Sequence, residues 1–68
     1  MYGIKKNGKI IKTFMDRSDA TKEFQELNRR FFIAVTLNND YCALQCSHDK
    51  MKVTNHKGKY QVWEIVKL

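Results

Sequence analysis

Alternating apolar and polar residues at the start of the chain predict a β-hairpin. Residues 2–14 form two strand-like runs on either side of Asn7-Gly8. Asn-Gly is the preferred pair for a type I′ turn, because both central positions need a positive φ angle. In the simplest register of this hairpin, Ile4 faces Ile11 across the two strands.

A helical period follows the hairpin. Asp16 is placed to cap the free backbone N–H groups at the start of a helix, and the segment carries acidic residues before basic ones, which suits the helix macrodipole. Apolar residues recur at helical spacing, namely Ala20, Phe24, Leu27 and Phe31. The pattern predicts a helix over residues 17–29.

The second half of the chain predicts an antiparallel meander. Residues 31–37 are rich in β-branched and aromatic residues, which favours a strand. Residues 41–48 leave two alternatives open, because their alternation suggests a strand while Asp40 could cap one short helical turn. Two further strand patterns flank a turn at residues 55–58.

These elements predict one α+β domain over residues 1–68, a β-hairpin, a helix and an antiparallel β-meander, with the helix packed on one sheet. A chain of this length buries only about 60% of the surface that its unfolded form exposes, so its stability depends on a small number of core residues. The expected core residues are Ile4, Ile11, Ala20, Phe24, Leu27, Ile33, Val35 and Val62.

One predicted helix can cover only one face of the sheet, yet the predicted strands carry apolar residues on both faces. If strict alternation holds, Phe14, Phe32 and Trp63 lie together on the uncovered face. An open apolar patch on a small domain usually marks an interaction site, so these residues are predicted to bind a partner or a second copy in a homodimer. The alternative is a curled sheet that buries both faces, or an alternation that slips by one residue.

Charge adds a second candidate surface. The formal net charge is +6, and the lysines concentrate in two stretches with few acids around the predicted turns. Such a pattern is typical of phosphate-backbone binding, to which exposed aromatic rings could add base stacking. The predicted anion-binding residues are Lys5, Lys6, Lys9, Lys12, Lys57 and Lys59. Arginine is scarce, so such binding should tolerate different nucleic-acid sequences. Codon bias alone is the competing explanation for the lysine excess.

Cysteine and histidine side chains raise the question of a metal site. Cys42, Cys46, His48 and His56 are all possible zinc ligands. In a strand, however, Cys42 and Cys46 lie about 13 Å apart, too far to share a metal ion or to form a disulfide. We therefore predict two buried, inert thiols and neither a metal nor a cofactor.

Catalysis is the least favoured class of function. His56 and Glu64 with a neighbouring lysine could cleave RNA by acid–base chemistry, as in small ribonucleases, but the sequence does not fix their geometry. The chain also carries no P-loop, dinucleotide fingerprint, nucleophile elbow or H-E-x-x-H helix. A non-enzymatic protein is therefore predicted.

Hydropathy predicts no association with a membrane. No apolar run reaches spanning length, and the first residues lack the apolar centre of a signal peptide. The expected compartment is the cytoplasm, where both thiols should stay reduced.

The opening of the chain resembles the start of many short bacteriophage open reading frames, in which a strand, an N-G-K turn, a strand and a capped helix follow one another. The resemblance covers about the first 30 residues and is carried by Tyr2, Asn7-Gly8-Lys9, Phe14, Asp16, Ala20, Phe24 and Leu27-Asn28. It implies a phage accessory protein that binds a host protein in the bacterial cytoplasm and inhibits or redirects it. The alternative is a basic protein that binds nucleic acid or an anionic nucleotide. Acidic DNA mimicry, common among phage inhibitors, does not fit a basic chain.

Overall fold

The computed structural model describes residues 1–68 as a five-stranded antiparallel sheet with one helix packed against it. The elements are β1 (Tyr2–Lys6), β2 (Lys9–Phe14), α1 (Arg17–Thr36), β3 (Tyr41–Cys46), β4 (Lys50–Asn55) and β5 (Tyr60–Lys67). The strand order in the sheet is β2-β1-β5-β4-β3, so β2 and β3 form its two edges. The predicted α+β class and the order of the elements are confirmed.

The first turn has the predicted geometry. Asn7 and Gly8 both adopt positive φ angles, 52° and 85°, as a type I′ turn requires. The Asn7 backbone N–H donates to the Val62 carbonyl over 2.7 Å, and its side-chain Oδ1 accepts from the Val62 N–H over 2.9 Å. The turn is thereby fixed to β5 as well as to its own strands.

A β-bulge changes the register of the hairpin. Ile4 pairs with Lys12, and Lys5 pairs with Ile10, so Ile11 is the extra residue between them. The predicted pairing of Ile4 with Ile11 is wrong for this reason. Beyond the bulge, Lys12 and Phe14 turn towards the helix, while Ile11 is half exposed instead of lying in the core.

The helix is longer than predicted, because α1 continues from Arg17 to Thr36. The predicted strand over residues 31–37 is wrong. The helical spacing of Phe24 and Leu27 runs on to Phe31, whose ring packs edge-on against Tyr41 of β3 with centroids 5.2 Å apart. Tertiary packing of a continuous apolar stripe overrides the local strand preference of these residues.

Two asparagine residues end the helix. Asn38 has a φ angle of 54°, in the left-handed region. The Asn38 N–H donates to the Val35 carbonyl over 3.0 Å, and the Asn39 N–H donates to the Ala34 carbonyl over 3.1 Å. This pair of bonds is a Schellman motif, which satisfies carbonyls that the end of the helix would leave free. At the other end Asp16 occupies the N-cap position, but its side chain makes no cap hydrogen bond.

Of the two alternatives for residues 41–48, the strand is confirmed by β3. It pairs with β4 from Leu44↔Val53 to Cys46↔Met51, with an irregularity at Cys42. β3 is therefore regular over most of its length and leaves its other side unpaired, at the edge of the sheet.

The core lies between α1 and one face of the sheet. Its buried hydrophobic residues are Ile4, Ala20, Phe24, Met51, Val53 and Trp63. The prediction is confirmed for Ile4, Ala20 and Phe24, and Leu27 packs against this cluster. It is wrong for Ile11 and for Ile33, which is 50% exposed on the helix. Val35 and Val62 are half-buried and lie outside the central cluster.

Candidate functional site

The structure separates the aromatic residues that the sequence placed together. Trp63 is buried, 7% exposed, and its indole N–H donates to Gln61 Oε1 over 3.2 Å. Phe14 is half-buried against the core because the bulge in β2 turns it towards the helix. Phe32 lies on α1 and is 63% exposed. The prediction that Phe14, Phe32 and Trp63 share the uncovered face of the sheet is therefore wrong.

Cross-strand pairing explains the position of Trp63. Trp63 pairs with the buried Met51, and Ile65 pairs with the buried Ile4. Directly opposite residues of an antiparallel pair share a face, so the odd-numbered residues of β5 face the helix. The even-numbered residues, including Val62, point to the other side. The alternation predicted for β5 is correct, but the sequence does not tell whether its odd-numbered or its even-numbered residues face the core.

The sheet does have an uncovered face, on the side opposite α1, which we term the open face. Its apolar members are Ile10, Tyr60, Val62, Val66 and Leu68. Charged side chains interrupt them: Glu64 lies between Lys5 and Lys50 on the neighbouring strands. The Lys52 Nζ lies 4.4 Å from the centre of the Tyr60 ring. The open face is thus a mixed surface and not a continuous apolar one.

The C-terminal end of α1 and its C-cap residue carry three exposed, large apolar side chains. Phe32 is 63% exposed, Ile33 50% and Leu37 64%. At about 100° per residue, Ile33 lies nearly opposite the stripe that packs on the sheet, and Phe32 and Leu37 lie on its two flanks, each about 110° from the stripe. We term them the helix patch. Three such side chains facing solvent on one helix form a surface that no element of this fold covers.

Two arginine residues border the helix patch on its N-terminal side. Arg29 donates two hydrogen bonds to the Glu26 carboxylate over 2.8 and 3.0 Å, and Arg30 lies 3.8 Å from it. The hydrogen bond from Arg29 lowers the pKa of Glu26, and the same bond raises the pKa of Arg29. One carboxylate for two guanidinium groups leaves the border of the patch with net positive charge.

The two lysine-bearing turns meet at one end of the sheet. Because Asn7 is bonded to Val62 near the start of β5, the β1–β2 turn lies beside the β4–β5 turn. Two strand spacings separate the turns across the sheet, roughly 10 Å, and the β4–β5 turn extends about three residues further along the strands, roughly another 10 Å. We term this region the lysine end, and it carries Lys6, Lys9, Lys57 and Lys59.

The remaining two predicted anion-binding residues lie elsewhere. Lys12 forms an ion pair with Glu23 on α1, with 3.0 Å between Nζ and Oε2. Lys5 lies on the open face beside Glu64. The Lys6 ammonium lies 5.3 Å from the centre of the Trp63 ring, so Lys6 makes a cation–π contact with the core. The lysine end therefore holds four of the six predicted lysines. Of these, Lys9, Lys57 and Lys59 make neither an ion pair nor a cation–π contact.

The thiols and imidazoles do not form a reactive group. Cys42 and Cys46 are both exposed on β3, so the prediction that they are buried is wrong. No three His, Cys, Asp or Glu side chains come together as a metal site would require. His56 Nε2 lies 2.8 Å from the Asn39 carbonyl, and Glu64 pairs with Lys50 about 20 Å further along the strands. At this distance His56 and Glu64 cannot act together in the acid–base cleavage of RNA considered above.

No helix of the structure combines the length and the apolar character needed to cross a membrane.

Sequence reasoning missed Ile33 and Leu37 as exposed residues because it placed them in a strand. The signal that could have found them is Asn38-Asn39, since asparagine is the commonest residue after glycine at a left-handed helix end.

Comparison with protein-family models, curated proteins and solved structures finds no match to this chain. The inference of function therefore depends on the helix patch and the lysine end.

Proposed function

We propose that this protein is a non-enzymatic binding module that inserts its helix patch into an apolar groove of a partner protein. The observation that carries the proposal is the outward exposure of Phe32, Ile33 and Leu37 at 50% or more. A small protein gains no stability from large apolar side chains that remain in water, whereas burying each one at an interface contributes about 1.5–3 kcal/mol.

The spacing of the patch suits recognition by a groove. Ile33 and Leu37 are four residues apart, so they stack on one side of the helix, and Phe32 widens the apolar surface. Amphipathic helices use such i and i+4 anchors when they bind in hydrophobic grooves. Arg29 and Arg30 would lie at the border of the contact, where they favour a groove with acidic residues along its rim.

Stoichiometric binding is the mode of action that such a surface implies. We propose that the partner is a protein of a bacterial host, which the module inhibits or redirects in the cytoplasm as small bacteriophage accessory proteins do. The resemblance of the first 30 residues to phage reading frames and the exposed patch support this class of function.

Affinity capture from bacterial lysate tests the proposal. The parent protein should retain a discrete partner at near-equal molar amount, and Phe32→Ser with Leu37→Ser should lose it. The matched control is Lys22→Ser with Gln25→Ser, two exposed polar positions on the same helix. Circular dichroism should show unchanged folding in both variants. A partner that survives loss of the patch, or that the control also loses, would contradict the proposal.

A second candidate function is supported by the lysine end. The two basic turns lie at the same end of the sheet, so a polyanion that spans both would contact the ammonium groups of Lys6, Lys9, Lys57 and Lys59. Nucleic acid or an anionic nucleotide is the ligand class that such a cluster favours, without selection by base sequence.

Fluorescence anisotropy with a labelled single-stranded oligonucleotide tests this candidate at two salt concentrations. Neutralising three or four phosphates predicts a slope of log affinity against log salt of about −2 to −3 for a single strand. Lys9→Glu with Lys57→Glu should abolish binding, whereas Lys22→Glu with Lys67→Glu changes the net charge equally and should weaken it far less. Equal losses of affinity in the two double variants would show that binding depends only on net charge and would contradict this candidate.

A further inference from the structure

We propose that a second copy of this chain pairs with the free edge of β3, joining two sheets into one. β3 is the only strand without a charged residue: β1, β2 and β4 each carry two lysines, and β5 carries Glu64 and Lys67. On a protein of net charge +6, it is the edge at which two copies meet with the least repulsion.

The two edges of the sheet differ in how they are protected. On β2, Lys9 and Lys12 stand on the strand, and a central bulge at Ile11 disrupts the edge. Lysines and bulges are the devices that natural proteins use to block pairing between sheet edges. On β3 the irregularity lies near its start, at Cys42, and the residues from Ala43 to Cys46 are regular and uncharged. β3 is therefore the unprotected edge.

Hydrogen-bond alternation limits the registers that such a dimer can use. The Ser47 N–H donates to the Lys50 carbonyl of β4 over 2.8 Å, so the backbone groups of Ser47 point into the sheet. Alternation then directs those of Leu44 and Cys46 outwards, to the free edge. In an antiparallel pair of strands, a residue whose backbone N–H and C=O point towards the other strand lies opposite a residue whose groups point back at it. Even-numbered residues of one copy therefore face even-numbered residues of the other.

Among these registers, the one centred on Leu44 pairs residues 42–46 with their counterparts, so the irregular residue Cys42 stands at the end of the paired segment. Leu44 then faces Leu44 of the second copy, Ala43 faces Gln45, and Cys42 faces Cys46. Directly opposite residues at a hydrogen-bonded pair have Cα atoms about 5.5 Å apart, within the range of a disulfide. Within one chain the same two thiols are about 13 Å apart along the strand.

Sedimentation velocity over a range of protein concentrations tests the dimer. The mass of the parent should rise from 8.1 kDa towards twice that value. Ala43→Lys with Gln45→Lys places like charges opposite each other and should keep the chain monomeric, whereas Ala43→Lys with Gln45→Glu places opposite charges there and should restore the dimer. A parent that stays monomeric throughout, or a doubly lysine-substituted chain that dimerises equally well, would overturn the proposal.

Thiol cross-linking tests the register with single substitutions. Diamide oxidises two neighbouring thiols to a disulfide, accepting their two electrons and two protons. Cys42→Ser alone and Cys46→Ser alone should give little covalent dimer, because each leaves a serine opposite the remaining thiol. A mixture of the two variants should give a covalent dimer. Equal cross-linking in either variant alone would overturn the register. The helix patch takes no part in this pairing, so either result is independent of the partner proposed above.

Discussion

Two phenylalanine residues on the same helix show how position decides the role of a side chain. Phe24 is 4% exposed in the core, whereas Phe32 is 63% exposed in the helix patch. The first holds the helix to the sheet, and the second is exposed to solvent.

Phe24→Ala should therefore lower the free energy of unfolding by about 3–5 kcal/mol, because it removes a buried ring and leaves a cavity. A domain of this size has little more stability than that. Phe32→Ala should change it by less than about 0.5 kcal/mol. Urea denaturation followed by circular dichroism measures both. Similar losses in the two variants would show that the core has been assigned incorrectly.

The charged border of the helix patch makes a prediction about pH. Arg29 lowers the pKa of Glu26 in the folded protein, so the ion pair stabilises the fold above the unfolded pKa of that carboxyl group. The contribution is lost as the pH falls through the lower, folded pKa. In Arg29→Gln the pKa of Glu26 should rise towards its ordinary value. An NMR titration of the Glu26 side chain measures this, and an unchanged pKa would show that the pair does not persist in solution.

At the scale of elements, the length of the helix depends on how it ends. Asn38 holds the left-handed conformation that the Schellman motif needs. Asn38→Ala should cost about 1–2 kcal/mol, since a Cβ without a compensating polar group disfavours that conformation. Asn38→Gly should be neutral or stabilising, because glycine adopts positive φ without strain. Thermal unfolding compares the two. Equal melting temperatures would indicate that the helix ends differently in solution.

Local signals in the sequence were sufficient for much of the fold. The Asn7-Gly8 turn, the start of α1 after Asp16 and the last two strands each follow from short-range chemistry, and each lies where predicted. The segment from Phe31 onwards was mispredicted because β-branched and aromatic residues suit a strand locally, whereas Phe31 packs as part of a helical stripe. Phe31 also packs against Trp63, with ring centroids 5.8 Å apart, and Trp63 lies outside any local window that includes Phe31.

The candidate site was harder to predict than the fold. A single extra residue, Ile11, turns Phe14 from the predicted open face towards the core. Bulges have no reliable sequence signal, and a shift of one residue exchanges the two faces of a strand. The lysines were more predictable, because turns project from a sheet whichever face is buried.

At the scale of the whole molecule, the protein divides its surface into regions of different chemistry. The helix patch is apolar with a basic border, the lysine end is cationic, and β3 is an uncharged edge. A partner protein, a polyanion and a second copy would each bind a different one of these regions. The central claim is that the helix patch is the surface that contacts the partner.

Site-specific photo-cross-linking in bacterial lysate tests that claim most directly. A photoreactive phenylalanine analogue at Ile33 should give one discrete covalent product with a partner protein. The same analogue at Lys22, exposed on the same helix but outside the patch, should give little of it. Product from Lys22 or Lys57 in preference to Ile33 would place the contact elsewhere and contradict the account.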